Sequence, residues 1–450
     1  MRNKLIIISG VAVLFAGTFL RAQPVSSAWE EKKQVTLTEA IDLSIKNSNQ
    51  LKLSQAKIAE ATAVLKEAVG KKLPDAAVSG SYLRLTAANF DLKTKNNNTS
   101  GTQNETPKVT QAMYGILNAS LPVYAGGRIR YGIESSAYLE KAARLDAEDD
   151  KDEVIQIAIE AFANLFKAKT AVRLVKENLL QSQQRLKDLG NLEKNGLLAR
   201  NDLLKAGLQA SNAELNLLDA ENNLQLANVN MDLMLGLPVT TELVLDTTNI
   251  EKKNDSRVLE DYLKMAITNR KDIMALGYRK KAAETGVKAV KGEKYPGLQL
   301  TGGYIAADVP KVFSVTNAVN IGLGVSYSIS SLWKNKAKVQ EAEAKVKQIV
   351  ATEAIQDDNV RLQVNKNYFA LLSSRKKIDV YAKVLDQAKE NYRIVKNKFD
   401  NSLATTADLL DADVAQLQAT LIYTLAQADA FVAYNKLLQT TGVLSTELKK

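Results

Sequence analysis

Val319-Asn320-Ile321-Gly322-Leu323-Gly324-Val325-Ser326-Tyr327-Ser328-Ile329-Ser330 alternates large apolar residues with small or polar ones. Successive side chains of a strand point to opposite faces, so the segment predicts a strand with one apolar face and one small, polar face. Its partner is read at about Leu298 to Ala307. The first half of the chain holds weaker counterparts at Ala77 to Leu85 and Met113 to Val123, joined by a polar loop, Lys93 to Lys108. Each half therefore supplies one hairpin.

What flanks the hairpins decides how the apolar face is covered. Proline occurs only at positions 24, 74, 107, 122, 238, 296 and 310, so 123–237 and 311–450 contain none and helices can run long there. A continuous helix from Gly127 to about Leu189 would reach about 90 Å at ~1.5 Å per residue. After a turn near Asn195 and Gly196, a heptad seam runs through Leu203, Ala206, Ala210, Ala213, Leu217, Ala220, Leu224, Ala227, Met231 and Met234. The second half repeats it from Leu409, with the alanines at 206, 213, 220 and 227 recurring at 412, 419, 426 and 433. Small seam residues predict long helices packed closely side by side.

The chain is one unit written twice. Residues 37–82 reappear 222 positions later, with Asn47, Gly70, Pro74 and Tyr82 falling on Asn269, Gly292, Pro296 and Tyr304. A second match at an offset of 206 pairs Leu165, Asp202, Leu203, Leu204 and Gly236 with Leu371, Asp408, Leu409, Leu410 and Gly442. Repetition of this kind ties function to an architecture and not to one pocket.

Composition narrows the classes. Arg2 and Lys4 precede an apolar run, Leu5 to Leu20, and small residues around Ser26, Ser27 and Ala28, which reads as a signal peptide, 1–28, cleaved after Ala28 or Ala22. Removing it lowers the formal charge from +10 to +7 through loss of Arg2, Lys4 and Arg21. The remaining cations are spread along amphipathic helices, a solvated surface and not a nucleic-acid footprint. The sequence has no cysteine and no histidine. Disulfides, thiol catalysis, Ser-His-Asp chemistry and His or Cys zinc sites are excluded. No cofactor or metal is expected, and an exported enzyme working through carboxylates lacks a pocket motif.

Helices this long leave no short helix to cover a sheet, whereas an exported chain can meet a bilayer. Strands of about ten residues with apolar-out, polar-in alternation and aromatics at Tyr82, Tyr114, Tyr304 and Tyr327 suit a transmembrane barrel. Four strands cannot close one, and lipid does not tolerate an open edge. Two copies would give eight strands and a filled interior; three would give twelve and an aqueous lumen.

This order of parts resembles the outer membrane efflux protein family typified by TolC, over roughly residues 35–442. The anchors are Leu37 to Ala40 (Leu-Thr-Glu-Ala), Lys-Leu-Pro and Lys-Tyr-Pro ending at Pro74 and Pro296, and Tyr-Ala-Gly-Gly-Arg at Tyr124 to Arg128. In the second half Leu332 and Trp333 stand where the family usually has glycines. The resemblance implies a homotrimer with a twelve-stranded β-barrel in outer-membrane lipid of a Gram-negative bacterium, continued by a long α-helical barrel in the periplasm. It implies work with a periplasmic adaptor protein and an inner-membrane transporter in an efflux pump or type I secretion system. It places 238–257 and the C-terminal tail in a mixed belt around the helical barrel, and, with no Cys after the signal peptide, it excludes the lipid-anchored branch. Expected bounds are repeat 1 at 29–257, with strands about 76–86 and 112–124 and long helices 127–190 and 201–235. Repeat 2 is 258–450, with strands about 297–307 and 318–331 and long helices 334–398 and 406–441.

By the same resemblance, Asp202, Asp408 and Asp411 line a closed entrance at the periplasmic tip, while the turns at Gly196, Leu197, Ser402 and Leu403 meet the adaptor. Two aspartates one helical turn apart share a face, and an acidic ring favours cations. Asp202 and Asp408 equally suit a helix N-terminus, as caps. Phe399 and Ala404 replace the tyrosine and arginine of the family's latch, which does not carry over. The rival class is a periplasmic coiled-coil scaffold or adaptor without a pore.

Overall fold

A computed structural model describes residues 31–89, 108–246, 257–310 and 312–448. The signal peptide expected at 1–28, the polar loop up to Pro107 and most of the linker after Asp246 lie outside them. The chain is mostly helical. β1 (Glu31–Thr36) leads into α1 (Leu37–Asn47), capped by the Thr36 hydroxyl, which accepts from the Glu39 N–H at 3.1 Å. Then follow α2 (Asn49–Gly70), β2 (Asp75–Asn89), β3 (Lys108–Ala125), α3 (Arg128–Lys194), α4 (Arg200–Leu235) and β4 (Thr241–Asp246). The order recurs in α5 (Leu259–Asn269), α6 (Lys271–Lys291), β5 (Gly297–Val309), β6 (Phe313–Ser326), α7 (Ser331–Asp400) and α8 (Thr406–Thr440), closed by α9 (Leu444–Glu447). The breaks between α1 and α2 and between α5 and α6 fall on Ser48 and Arg270, 222 apart, each with an extended ψ, 120° and 125°. α3 has 67 residues and α7 has 70, so each runs about 100 Å at ~1.5 Å per residue.

The glycines that recur at the ends of α4 and α8 do so for a packing reason. Gly236 and Gly442 are left-handed, with φ of 70° and 71°. Leu237 N–H reaches Asp232 O at 2.8 Å, and Val443 N–H reaches Leu438 O at 3.1 Å, the bond that ends a helix in a Schellman turn. A Cβ on Gly236 would sit 2.8 Å from the Asn47 side chain, and one on Gly442 would sit 2.8 Å from Asn269 O. Asn47 donates to Leu235 O at 2.5 Å. The two strongest repeat anchors thus meet each other in both halves.

Around this level lie the apolar cores. One joins Ile155, Ile159, Tyr262, Val364, Leu437 and Leu444; the other joins Val35, Phe162, Leu165, Met231, Leu235 and Leu243. β1 and β4 pair in parallel beside the second core. Laterally α3 is central, packing on α2, α4, α6 and α8, while α7 packs on α6 and α8.

β2, β3, β5 and β6 form an antiparallel sheet in that order, with β2 and β6 as free edges. Register places Val78, Gly80 and Tyr82 beside Leu117, Gly115 and Met113, and Leu298, Leu300, Gly302 and Tyr304 beside Val325, Leu323, Ile321 and Val319. These residues share one apolar face. Ser79, Ser81, Asn118, Ser120, Thr301, Gly303, Asn320 and Gly322 share the other. Pro122 cannot donate to a ladder, and the register shifts between it and Tyr124, a bulge at the strand end.

The strand-to-helix junctions differ. Gly126 and Gly127 are both left-handed, with φ of 63° and 80°, and a Cβ on Gly126 would lie 2.2 Å from Gly292 O. Only glycine fits. At the second junction Ser331 N–H bonds Ser328 O at 2.9 Å and Leu332 N–H bonds Ile329 O at 3.1 Å, with Ser330 right-handed at φ −64°. That turn needs no positive φ, so Leu332 and Trp333 fit where glycines are usual.

Candidate functional site: a sheet, a shaft and a tip

The apolar face of the sheet is bare. Val78, Ile321, Leu323 and Val325 are all strongly exposed, and among the described residues no helix packs broadly on the sheet. Tyr82 and Tyr304 stand on this face towards the loop end, Tyr82 donating to Gln111 Oε1 at 3.2 Å. Tyr327 continues the alternation of Val325 at the helix end, where Tyr124, Tyr295 and Trp333 are also exposed. Tyr114 differs: its register partners, Ser81 and Ala307, put it on the small, polar face. Among the described residues no helix is long and apolar enough to cross a membrane, which says nothing of a β-barrel.

At the far end of the shaft the two turns share one hydrogen-bond plan. Leu197 N–H reaches Leu192 O at 2.9 Å around left-handed Gly196, φ 71°. Leu403 N–H reaches Lys398 O at 2.7 Å around Ser402, φ 59°, a conformation that strains a residue with a Cβ. The plan throws Leu197 and Leu403 into solvent, 74% and 76% exposed.

The three aspartates differ in their ties. Asp202 is engaged by Lys205 Nζ at 3.2 Å. Asp408 closes a capping box: Oδ2 accepts from the Thr405 hydroxyl at 2.6 Å and its N–H at 2.9 Å, while Thr405 Oγ1 accepts from Asp408 N–H at 3.1 Å. These bonds, the hydroxyl first, hold its pKa below the usual carboxylate value. Asp411 is exposed and makes no hydrogen bond or ion pair within the chain among the described residues. Cap and surface acid therefore sit one turn apart on α8, as their spacing implies.

A network that the sequence reading missed lies about 15 Å higher, eleven residues before Gly196. Arg185 on α3 grips Asp413 on α8 with both forks, Nη1 to Oδ2 at 2.8 Å and Nη2 to Oδ1 at 3.0 Å. Nη2 also donates to the Tyr392 hydroxyl of α7 at 3.1 Å, and Asn178 Nδ2 approaches Asp413 at 3.4 Å. The side chains of Arg185 and Asp413 are only 12% and 3% exposed. Burial alone would lower the Arg185 pKa, but the hydrogen bond and charge of Asp413 outweigh it and raise it. Asp408, Asp411 and Asp413 look like one acidic run. At 100° per residue, however, Asp413 lies about 140° around the helix from Asp408, turned towards α3.

Midway along α3 a second carboxylate group meets α6 and α7. Arg270 holds Asp272 at 2.6 and 3.0 Å, and Gln356 donates to Asp272 at 2.8 Å. Asp149 beside them is pushed up to about 6 by burial and then by Asp272, against the pull of Arg270. Among the described residues no group of three or more potential metal ligands occurs.

The sequence profile described as outer membrane efflux protein matches residues 262–443. No curated protein matches the chain. Among solved structures, the Campylobacter jejuni CmeC outer membrane channel is 19% identical, covering 92% of this chain and 88% of its own, with a TM-score of 0.74. The outer membrane protein VceC from Vibrio cholerae is 18% identical, covering 90% and 96%, at 0.73. The open state of the Neisseria gonorrhoeae MtrE outer membrane channel is 17% identical, covering 90% and 88%, at 0.71. At these identities the likeness is one of fold.

Proposed function

We propose that this chain, whose residues 262–443 match the outer membrane efflux protein family, is a member of that family and an outer-membrane exit duct of a tripartite efflux pump or type I secretion system. One observation carries the reading: a four-stranded sheet with a bare apolar face and two free edges sits at the end of helices about 100 Å long. Such a sheet is stable in lipid only when its edges are paired. Three copies closing β6 of one onto β2 of the next give twelve strands, with the small, polar face lining an aqueous lumen and Tyr82, Tyr304 and Tyr327 in the lipid girdles. The helices then extend into the periplasm. A periplasmic scaffold without a pore has no use for the bare face.

At the tip, the exposed leucines Leu197 and Leu403, with Gly196 and Ser402 shaping their turns, would meet a periplasmic adaptor, which links the duct to an inner-membrane transporter. Asp411, with Asp408 beneath it and Asp202 in the first repeat, would form the acidic constriction, repeated around the axis. Cations would concentrate there. Membrane fractionation tests the duct reading: the protein should resist alkaline and high-salt washing and leave membranes only in detergent, and release by washing alone would defeat it. For the constriction, Asp408→Ala with Asp411→Ala should raise single-channel conductance in planar bilayers and weaken block by divalent cations. Unchanged conductance and block would sink the gate.

A further inference from the structure

The cations of the chain are spread along its helices, but its net charge is not. The twelve residues ahead of β2 and of β5, and the twelve after β3 and after β6, border the helix end of the sheet. These four stretches, 63–74, 285–296, 126–137 and 327–338, hold eleven basic residues and three acidic ones, a net +8. Without the signal peptide the whole chain carries +7, so everything else comes to −1. Three of the eleven are held by acids: Lys71 by Glu67 at 3.7 Å, Lys291 by Glu343 at 2.8 Å and Lys338 by Glu293 at 2.7 Å. The other eight are exposed and form no ion pair among the described residues. They are four pairs of repeat equivalents. Ahead of the strands, Lys66 and Lys72 fall on Lys288 and Lys294 at the offset of 222. After the strands, Arg128 and Arg130 fall on Lys334 and Lys336 at the offset of 206. The three paired lysines, Lys71, Lys291 and Lys338, fall instead on Glu293, Val69 and Gly132. The unpaired charges are the repeated ones, and the paired charges are not.

Unpaired like charges at one level of a shaft repel one another. Lower down, ordinary pairing offsets this, as between Arg361 and Asp357 at 2.9 Å or Arg393 and Glu390 at 2.7 Å. A surface that keeps eight exposed cations without acids of its own is matched to negative charge outside the chain. Its neighbours show where that charge lies. Leu73, Tyr295 and Trp333, each exposed, adjoin Lys72, Lys294 and Lys334 in sequence. An apolar or aromatic side chain beside a long cationic one suits the boundary between hydrocarbon and headgroups, where ring or alkyl stem sits in the apolar layer and the charged head reaches out of it. The collar is also continuous with the bare apolar face of the sheet, at the end from which the helices leave. We propose that this collar binds anionic phospholipid headgroups of the leaflet facing the periplasm, their phosphates meeting the eight cations that no acid holds. Each Lys or Arg near an anionic bilayer surface adds an attraction that dies away within a Debye length.

This inference rests on the duct reading, and the test separates the two. The full chain is reconstituted in phosphatidylcholine vesicles holding a trace of spin-labelled phosphatidylglycerol or spin-labelled phosphatidylcholine. The motionally restricted fraction of each label reports which headgroup the boundary of the protein prefers. Preference for phosphatidylglycerol should be about fivefold at about 20 mM salt, the attraction of one cation to an anionic surface, and should vanish near about 500 mM. Lys72→Gln/Lys294→Gln/Arg130→Gln/Lys336→Gln should lower it to less than about twofold. Four exposed lysines lower on α7, changed as Lys376→Gln/Lys377→Gln/Lys383→Gln/Lys389→Gln, alter the net charge equally and should leave the preference alone. No preference in the unaltered protein, or equal preference in the two variants, overturns the inference. So does a collar variant whose lipid preference is intact and whose single-channel ion selectivity has moved, since its cations then face the lumen. An alkaline wash of the vesicles is the separate check. Protein stripped by the wash defeats the duct reading itself, whereas protein retained without headgroup preference leaves the duct intact and defeats only the collar.

Discussion

Equivalent elements of the two repeats lie one at an edge of the chain and the other inside it, and the same sequence positions behave differently in the two places. Leu53 on α2 is 50% exposed, whereas Ala275, its counterpart on α6, is fully buried between α3 and α7. Leu204 on α4 is 58% exposed against 8% for Leu410 on α8. On the other edge Phe369 of α7 is 58% exposed, while its counterpart Ala163 on α3 is 3% exposed. β2 is a free edge and β5 is central. Interior positions show what the edges lack. The chain has room for a neighbour wherever its own other half would otherwise sit.

The comparison breaks most severely if the edges are charged. Leu204→Asp with Leu362→Asp places a carboxylate on each side of the expected joint between chains, where it must be buried without a partner. At several kcal/mol per buried charge, repeated at every seam, the ring should fail to form. Light scattering in detergent should then show monomers with helix content intact. A trimer of full yield would show that these leucines are not the joint.

Next in size is the joint inside the chain. Arg185→Met strands Asp413 and should cost about 3–5 kcal/mol in thermal or denaturant unfolding, while adding Asp413→Leu should restore most of that loss by replacing ions with packed apolar groups. A double variant as damaged as the single one would mean that the charges do more than hold α3 to α8. Smaller still is the junction. Gly126→Ala meets both a left-handed φ and the Gly292 carbonyl and should cost at least about 2 kcal/mol, whereas Leu332→Ala at the right-handed counterpart should cost under about 1 kcal/mol in the same melts.

Much of this architecture was legible because it repeats in patterns with a physical period. Alternation from Val319 to Val325 marked β6, although the strand runs from Phe313 to Ser326 and the expected continuation through Ile329 is a turn, and the absence of proline marked the shafts. Gly236 recurs as Gly442 because each is closely approached by the chain at Asn47 or Asn269. The site was less legible. Asp408 was readable both as cap and as gate acid, and the capping box with Thr405 shows that its carboxylate does serve as a cap. Tyr114 counts with the barrel aromatics by composition, but only strand register shows that it faces away from Tyr82. Arg185 and Asp413 lie 228 residues apart on different helices, and nothing periodic links them. Their one signal is negative: Asn391 and Gly207 fail to repeat them.

The smallest expected effect concerns Asp149, which has an acidic neighbour in Asp272 and whose counterpart on α7 is the exposed apolar Ile355. Its folded pKa, about 6, lies above the ordinary 3.8, so the native state holds this proton more tightly than the unfolded chain does. Stability from this group therefore rises as pH falls through about 6 and is complete below the unfolded value. At neutral pH the buried charge is a burden, and Asp149→Asn should remove it. The gain should be on the order of 1 kcal/mol after allowing for partial solvent screening, and it should shrink to nothing near pH 4, where the native carboxyl is neutral as well. Asp272 acts in the opposite sense. Burial works against its charge, but Arg270, Ile273 N–H and Gln356 outweigh it and hold the group low, so its contribution persists through the same range and is lost only at more acid pH. Melting curves of the two forms from pH 7 to pH 4 should converge; parallel curves would mean that Asp149 is already neutral, or already solvated, at pH 7.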